Sequence, residues 1–265
     1  MNNPTSDAGT DRPPAFFYGW VVIAVGFITL GIAFGIWYSY SVFFLSIVKD
    51  FGWANRDWTL AKALRTRRFW FLAATFSSIA FAYQGTLLHS VSAMVDSGLT
   101  RQTAAAYFGL LGIAGSAGKI MFGYLSDRFG RERASTVGGI LAIVGIFCLL
   151  NATATSTLLP MLFALLFGLG YGAAAPLLPS ISADIFIGKS FGRIFAMIGI
   201  GGGAGGALGS FLCGMLRDVS GGYTLPLTLC MLSLFLACMF IWLASPRKVR
   251  QMVKNNALKT RNFKN

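Results

Sequence analysis

Seven apolar segments, at about 16–48, 69–93, 104–126, 134–151, 157–183, 191–216 and 223–245, occupy most of this 265-residue chain. A helix rises 1.5 Å per residue, so about 20 apolar residues cross roughly 30 Å of hydrocarbon. Every segment reaches that length, 134–151 only just. Hydrophobic residues make up 55% of the chain and charged ones 12%, whereas a globular domain carries about 45–50% and about 25%. A soluble domain is thereby excluded. The expected fold is an all-α polytopic membrane helix bundle of about seven transmembrane helices. Only Arg12 precedes the first segment, which is far too long for the apolar stretch of a cleavable signal. The length leaves room for roughly seven to ten spans, and not for twelve.

The 22 Lys and Arg against 9 Asp and Glu give a net charge of +13. In a membrane protein such an excess marks retained cytoplasmic loops and not nucleic-acid binding. Alternate connections hold 18 of these basic residues, including the cluster Lys49, Arg56, Lys62, Arg65, Arg67 and Arg68, while the opposite side holds only Arg12, Arg101 and Arg217. The rule therefore places the basic side and the C-terminus in the cytoplasm of a cell (inner) membrane. Residues 1–15 read as a disordered tail, 49–68 as a basic cytoplasmic linker, and 246–265 as a basic cytoplasmic tail.

The chemistry is sparse. Cys148, Cys213, Cys230 and Cys238 all lie within apolar runs without metal-ligand spacing, and read as buried, unpaired thiols. The run Gly201 to Gly206 matches G-x-G-x-x-G but lacks a preceding strand. Gly201, Gly205 and Gly209 instead form a small-xxx-small seam for close helix packing. With one histidine, nine acids and no nucleophile–base set, no enzyme, metal site or cofactor is expected. Pro176 and Pro179 follow Gly168-Leu-Gly-Tyr171-Gly172 in the fifth segment, where they can kink the span and free carbonyls.

The strongest local pattern is Gly123-Tyr-Leu-Ser-Asp127-Arg128-Phe-Gly130-Arg131-Glu-Arg133. It reads as a tight turn between two spans: Gly123 allows close helix approach, Gly130 permits the turn, and Asp127 can pair with Arg128 or a helix N-terminus. This string resembles the loop motif of the major facilitator superfamily of secondary transporters. Further strings resemble one branch, the bacterial monocarboxylate and oxalate–formate porters: Phe17-Tyr-Gly-Trp20, Phe34 to Phe44, Asp50-Phe-Gly-Trp53, Leu64-Arg-Thr-Arg-Arg-Phe-Trp70, Asp184-Ile-Phe and Phe191-Gly-Arg193.

The resemblance implies that the first helix, 16–48, is followed directly by the family's C-terminal six-helix lobe at 69–245. Helices two to six are missing, with a seam near 56–59. That lobe is expected to hold two inverted three-helix repeats. Losing an odd number of helices conflicts with the native direction of the first. The six basic residues of the linker favour inverting that helix, which puts the N-terminus outside or leaves the first span improperly inserted.

Lys119 is the only basic residue well inside a span. Intramembrane charges are costly, which makes it the first candidate for substrate. Gly112, Gly115, Ser116 and Gly123 share its expected face. The resemblance implies a carboxylate-binding role for that position, where the porters carry Arg; Lys keeps the charge and loses the bidentate fork. Partial snorkelling or a structural hydrogen bond are the alternatives. His89, in a stripe with Gly85, Ser92 and Asp96, suits either proton coupling or an interfacial hydrogen bond. Tyr83, Gln84 and Tyr171 complete the candidate binding set. Gly123, Asp127, Arg128, Gly130, Arg131 and Arg133 form the candidate conformational loop. The implied function is transport of a small organic anion, monocarboxylate-like, by alternating access, coupled to protons or a counter-anion. One lobe is expected to be transport-defective alone and to need a homodimer or a complementary lobe in the lipid bilayer. A non-transporting membrane fragment and a membrane-embedded interaction subunit are the competing readings.

Overall fold

The computed structural model describes Ile28 and residues 58–244 except 154, 187 and 189. The chain divides into two compact units, Met1–Asp50 and Phe51–Asn265. Of the first unit only Ile28 is described; it is helical and exposed. The expected helix at 16–48, the seam at 56–59 and both tails lie outside the described residues.

Among the described residues of the second unit the regular structure is all helical. A short helix, α1 (Leu60–Leu64), leads into six long ones: α2 (Arg67–Asp96), α3 (Arg101–Phe129), α4 (Arg131–Leu150), α5 (Leu158–Phe186), α6 (Phe191–Ser220) and α7 (Thr224–Ala244). All six are long and apolar enough to cross a membrane. They coincide with the six apolar segments read from 69 onward, with ends that differ by a few residues at most. At 30 residues, α2 and α6 run about 45 Å, beyond the hydrocarbon itself.

Local chemistry sets the ends. The side chains of Thr59, Thr66 and Thr100 cap α1, α2 and α3, accepting from the amides of Lys62, Phe69 and Thr103. Gly221, at φ +73°, ends α6 in the left-handed conformation that an L side chain resists. Gly130, at φ +97°, is at once the last cap of α3 and the first of α4. The turn predicted for Gly130 is therefore a single residue long. Pro176 and Pro179 lie within α5, which stays helical through Phe186. Each removes the amide that would bond the carbonyl four residues back.

The packing follows a pseudo-two-fold pattern relating α2–α4 to α5–α7. Each helix packs mainly against the other triplet: α2 against α6 and α7, and α5 against α3 and α4. Side-chain order gives the directions. Phe76 meets Phe195, and Asp96 meets Arg217, so α2 and α6 run parallel. Phe69 near Phe186 makes α2 and α5 antiparallel, as inverted repeats require. Phe122, Phe163, Phe167, Ile146 and Leu177 are fully buried in the interior. The exterior carries Ile113, Ile120, Phe147, Phe235 and Trp242 exposed, a surface suited to lipid and hostile to water.

Candidate functional site

Two parallel helix pairs, α2 with α6 and α3 with α5, shape the surface on which most of the predicted residues lie. In the first pair the expected seam forms. A Cβ at Gly205 or Gly209 would collide with the carbonyls of Ser77 and Phe81, and one at Gly201 would stand 3.5 Å from the Ala73 carbonyl. In the second pair both helices supply glycines. A Cβ at Gly172 would meet the carbonyl of Gly115, and one at Gly118 would stand 2.5 Å from that of Leu169. Backbone-to-backbone contact of this kind needs the missing side chain at these positions.

On its open side the α2–α6 pair forms a groove of about 290 Å³, lined by Ala80 and Gln84 of α2 and by Gly202, Gly203, Gly206, Ala207 and Ser210 of α6. Gln84 is exposed at this groove, and its Cγ packs over Gly206. His89 lies one turn further along α2. Its Nε2 is 3.1 Å from the carbonyl oxygen of Ser210, and its ring faces Tyr223 at 5.9 Å. The lone histidine thus makes the interfacial hydrogen bond weighed from sequence, adjoining the groove through Ser210.

Lys119 stands apart from these residues. It is exposed on α3 together with Gly112 and Ser116, and a side chain at Gly109 or Gly112 would meet only open space. Gly115, expected on the same face, is buried against Gly168 and Tyr171 of α5. Lys119 makes no ion pair among the described residues. It lies eight residues before Asp127, about 12 Å along the helix.

Tyr83 and Tyr171 come together, but in the core. Tyr83 is buried, and its hydroxyl donates to the carbonyl of Gly170 at 2.8 Å. Its ring packs edge-on against Phe167 and Tyr171. The hydroxyl is spent on an interhelical bond between α2 and α5, so Tyr83 holds the lobe together instead of facing the open surface. The alternating polar handle in an apolar run looked the same in sequence either way.

The 123–133 loop divides into a free part and a fixed part. Asp127 and Arg128 are exposed; Arg128 reaches only the Tyr124 hydroxyl at 3.5 Å and its own neighbour's ring at Phe129. Arg133 is exposed and Gly123 lies beside Pro176. Arg131 is the anchor. Its guanidinium is 3.0 Å from the Asp184 carboxylate and also donates to the Ser180 carbonyl. With side-chain exposures of 22% and 14%, the pair is sheltered enough to hold α4 against the end of α5. The ion pair of this segment thus joins Arg131 to Asp184, which the sequence offered only as the start of the string Asp184-Ile-Phe. At the opposite end Arg217 bridges Asp96 at 3.1 Å and lies over the Tyr223 ring.

Six parallel and antiparallel apolar helices with an open, glycine-lined face define a multi-pass helical membrane protein, of the class whose inverted repeats carry solutes. The sequence profile of the Major Facilitator Superfamily matches residues 14–186 and, in an overlapping placement, 70–264. The chain belongs to that superfamily. It is 27% identical over 157 residues to an uncharacterized MFS-type transporter, YhjX, of Escherichia coli K12, covering 57% of this chain and 38% of that protein. It is 26% identical over 195 residues to monocarboxylate transporter 12 of Xenopus laevis (71% and 41%) and 26% identical over 166 residues to the cyanate transport protein CynX of Escherichia coli K12 (62% and 42%). The chain spans about two-fifths of the length of these relatives. A crystal structure of an auto-inhibited POT-family peptide transporter superposes with a TM-score of 0.60 at 20% identity, covering 69% of this chain and 38% of that one; this likeness concerns the fold.

Proposed function

We propose that this chain provides one lobe of a secondary transporter for a small monoanion of the monocarboxylate type, with Lys119 as the anion-binding charge. The single observation that carries the reading is the position of Lys119: a cation about 12 Å from the loop end of an apolar span, on an open face beside glycines, with no ion-pair partner among the described residues. An intramembrane ammonium without a partner is costly unless it meets an anion or water there. Two relatives are named for the carriage of small anions, one for monocarboxylates and one for cyanate, which favours a compact singly charged substrate.

Alternating access rocks two lobes about a midplane site. The six described spans supply one such lobe, so turnover requires a complementary lobe, either a second copy of this chain or another helical bundle. Gln84 at the α2–α6 groove then contributes a neutral donor and acceptor to the enclosed site. His89 and the Asp127–Arg128 segment serve proton coupling and lobe docking, respectively. The lobe sits in a cell membrane with the Gly130 turn and the C-terminus on the cytoplasmic side, following the distribution of basic residues.

Equilibrium binding of radiolabelled acetate, lactate and cyanate to the full chain in nanodiscs tests this. Wild type and Lys119→Arg are expected to bind, with Lys119→Gln losing about tenfold or more, the scale of a charge-assisted hydrogen bond. Equal binding by wild type and Lys119→Gln, or no binding of any of the three, overturns the assignment. A second reading, a membrane-embedded interaction subunit, draws on the same open face of α3. It predicts a stable hetero-complex whose formation is indifferent to Lys119.

A further inference from the structure

Across the α6–α7 hairpin the sulfurs of Cys213 and Cys230 stand 3.5 Å apart, both residues buried. Their register is set by the turn. Cys213 lies seven residues before the end of α6 at Ser220, and Cys230 six residues after the start of α7 at Thr224, so antiparallel helices bring them to one level, about 10 Å from the turn. The contact is not incidental to the packing. Gly85 of α2 sits directly over the pair, and a Cβ there would lie 2.7 Å from the Cys213 sulfur and 3.1 Å from that of Cys230. The missing side chain at Gly85 therefore leaves the room in which the two thiols meet beneath α2. Cys148 and Cys238 make no such contact among the described residues, and all four are free thiols. A disulfide needs a sulfur separation of about 2.05 Å, so the two sulfurs, 3.5 Å apart, need approach by about 1.5 Å.

We infer that Cys213 and Cys230 are an oxidation site, closed to an intramolecular disulfide by lipid-soluble organic hydroperoxides. Both thiols lie in the apolar interior of the bundle, so the oxidant that reaches them is an apolar one that enters from the bilayer when the helices transiently part. One sulfur attacks the terminal peroxide oxygen, breaking the O–O bond and giving a sulfenic acid and the organic alcohol. The second thiol then attacks the sulfenic sulfur, forming the S–S bond and releasing water. Two thiols and one hydroperoxide thus become one disulfide, one alcohol and one water. The bond staples α6 to α7 beneath α2. It thereby restrains the helix that carries Gly202, Gly203, Gly206, Ala207 and Ser210 along the groove. A thiol reductant such as dithiothreitol reverses it.

The full chain in liposomes is treated with cumene hydroperoxide, denatured, alkylated and digested. The expected product is a peptide pair joined through Cys213 and Cys230, lighter by two hydrogens, with Cys148 and Cys238 recovered alkylated. Dithiothreitol restores all four thiols. Cys213→Ala is expected to abolish the joined peptide, and a Cys148→Ala/Cys238→Ala chain to retain it in full. Oxidation is also expected to raise the unfolding temperature of that double variant. Recovery of Cys213 and Cys230 as alkylated thiols after complete peroxide consumption overturns the inference. So does their recovery as sulfinic or sulfonic acids, or a disulfide joining any other pair.

Discussion

The α2–α6 and α3–α5 pairs occupy equivalent places in the two inverted triplets, yet they reach close parallel contact by different means. In α3–α5 glycines come from both helices, Gly115 and Gly118 on one and Gly168 and Gly172 on the other. In α2–α6 they come mainly from α6, where Gly201, Gly205 and Gly209 meet the carbonyls of Ala73, Ser77 and Phe81, and α2 adds only Gly85 against Gly209 and Cys213 at the far end. The one-sided solution leaves the larger side chain Gln84 standing beside a glycine floor, and the groove is the result. The two-sided solution closes the pair and leaves Lys119 exposed on the outward face of α3. Pseudo-symmetry fixes where helices meet; which helix gives up its side chains decides where space remains.

Substitutions that refill these seams should break the comparison most severely. Gly172→Leu and Gly209→Leu each push a side chain into an opposing backbone and are expected to cost about 3 kcal/mol or more, at the upper end of overpacking effects. Gly203→Leu, which faces open space, is expected to leave the unfolding temperature in detergent unchanged while filling the groove. Thermal unfolding of the three variants side by side reads this directly. If Gly203→Leu destabilises as much as Gly209→Leu, the two faces of α6 are not distinct.

Next in size is the sheltered ion pair at the Gly130 end. Asp184→Asn removes the negative charge facing the Arg131 guanidinium, and should cost about 1–3 kcal/mol, as for a hydrogen bond to a charged group. Arg131→Lys should cost less, because the charge is kept, but not nothing, because an ammonium cannot serve both acceptors with a planar fork. Smallest is the pair at the opposite end. With side chains 42% and 43% exposed, Arg217→Ala is expected to shift the unfolding temperature only slightly, and raising the salt concentration should erase the difference. A large, salt-independent loss in Arg217→Ala would show that this end, and not the Gly130 end, fastens the lobe.

Much of this fold is written plainly in the sequence, because a span of lipid imposes a length and an apolar composition that few other structures share. The six described helices match the apolar segments to within a few residues, and the Gly201–Gly205–Gly209 seam is legible as a four-residue repeat. The turn at Gly130 follows from glycine between two helical runs. What sequence does not carry is the facing of each polar residue. Tyr83 and Gln84 are adjacent, so on a helix they point about 100° apart; one lands in the core against Gly170 and the other at the groove. The packing partners of α2–α4 in the other triplet lie far along the chain, from Gly145 against Phe167 to Phe71 against Phe240, so no local pattern could assign the two faces. Arg131 finds Asp184 for the same reason: the antiparallel order of α4 and α5 pairs the start of one with the end of the other. The thiol pair was hidden likewise, since only the α6–α7 hairpin brings two scattered cysteines to one level.

The cross-triplet pairing has a consequence for how the molecule is made. α2 and α3 enter the membrane well before α5 and α6, the helices whose grooves they fit. Neighbours in the chain offer them little in the meantime, since α2 with α3 and α3 with α4 pack only lightly. During synthesis the first triplet must therefore wait, its glycine and carbonyl surfaces bare to lipid or held by the insertion machinery. The second triplet then slots in upside down between its members. Packing of this lobe therefore starts late, when α5 arrives, and is completed by α6 and α7; ribosomes stalled anywhere before α5 should yield a chain that is inserted, correctly spaced and still unpacked.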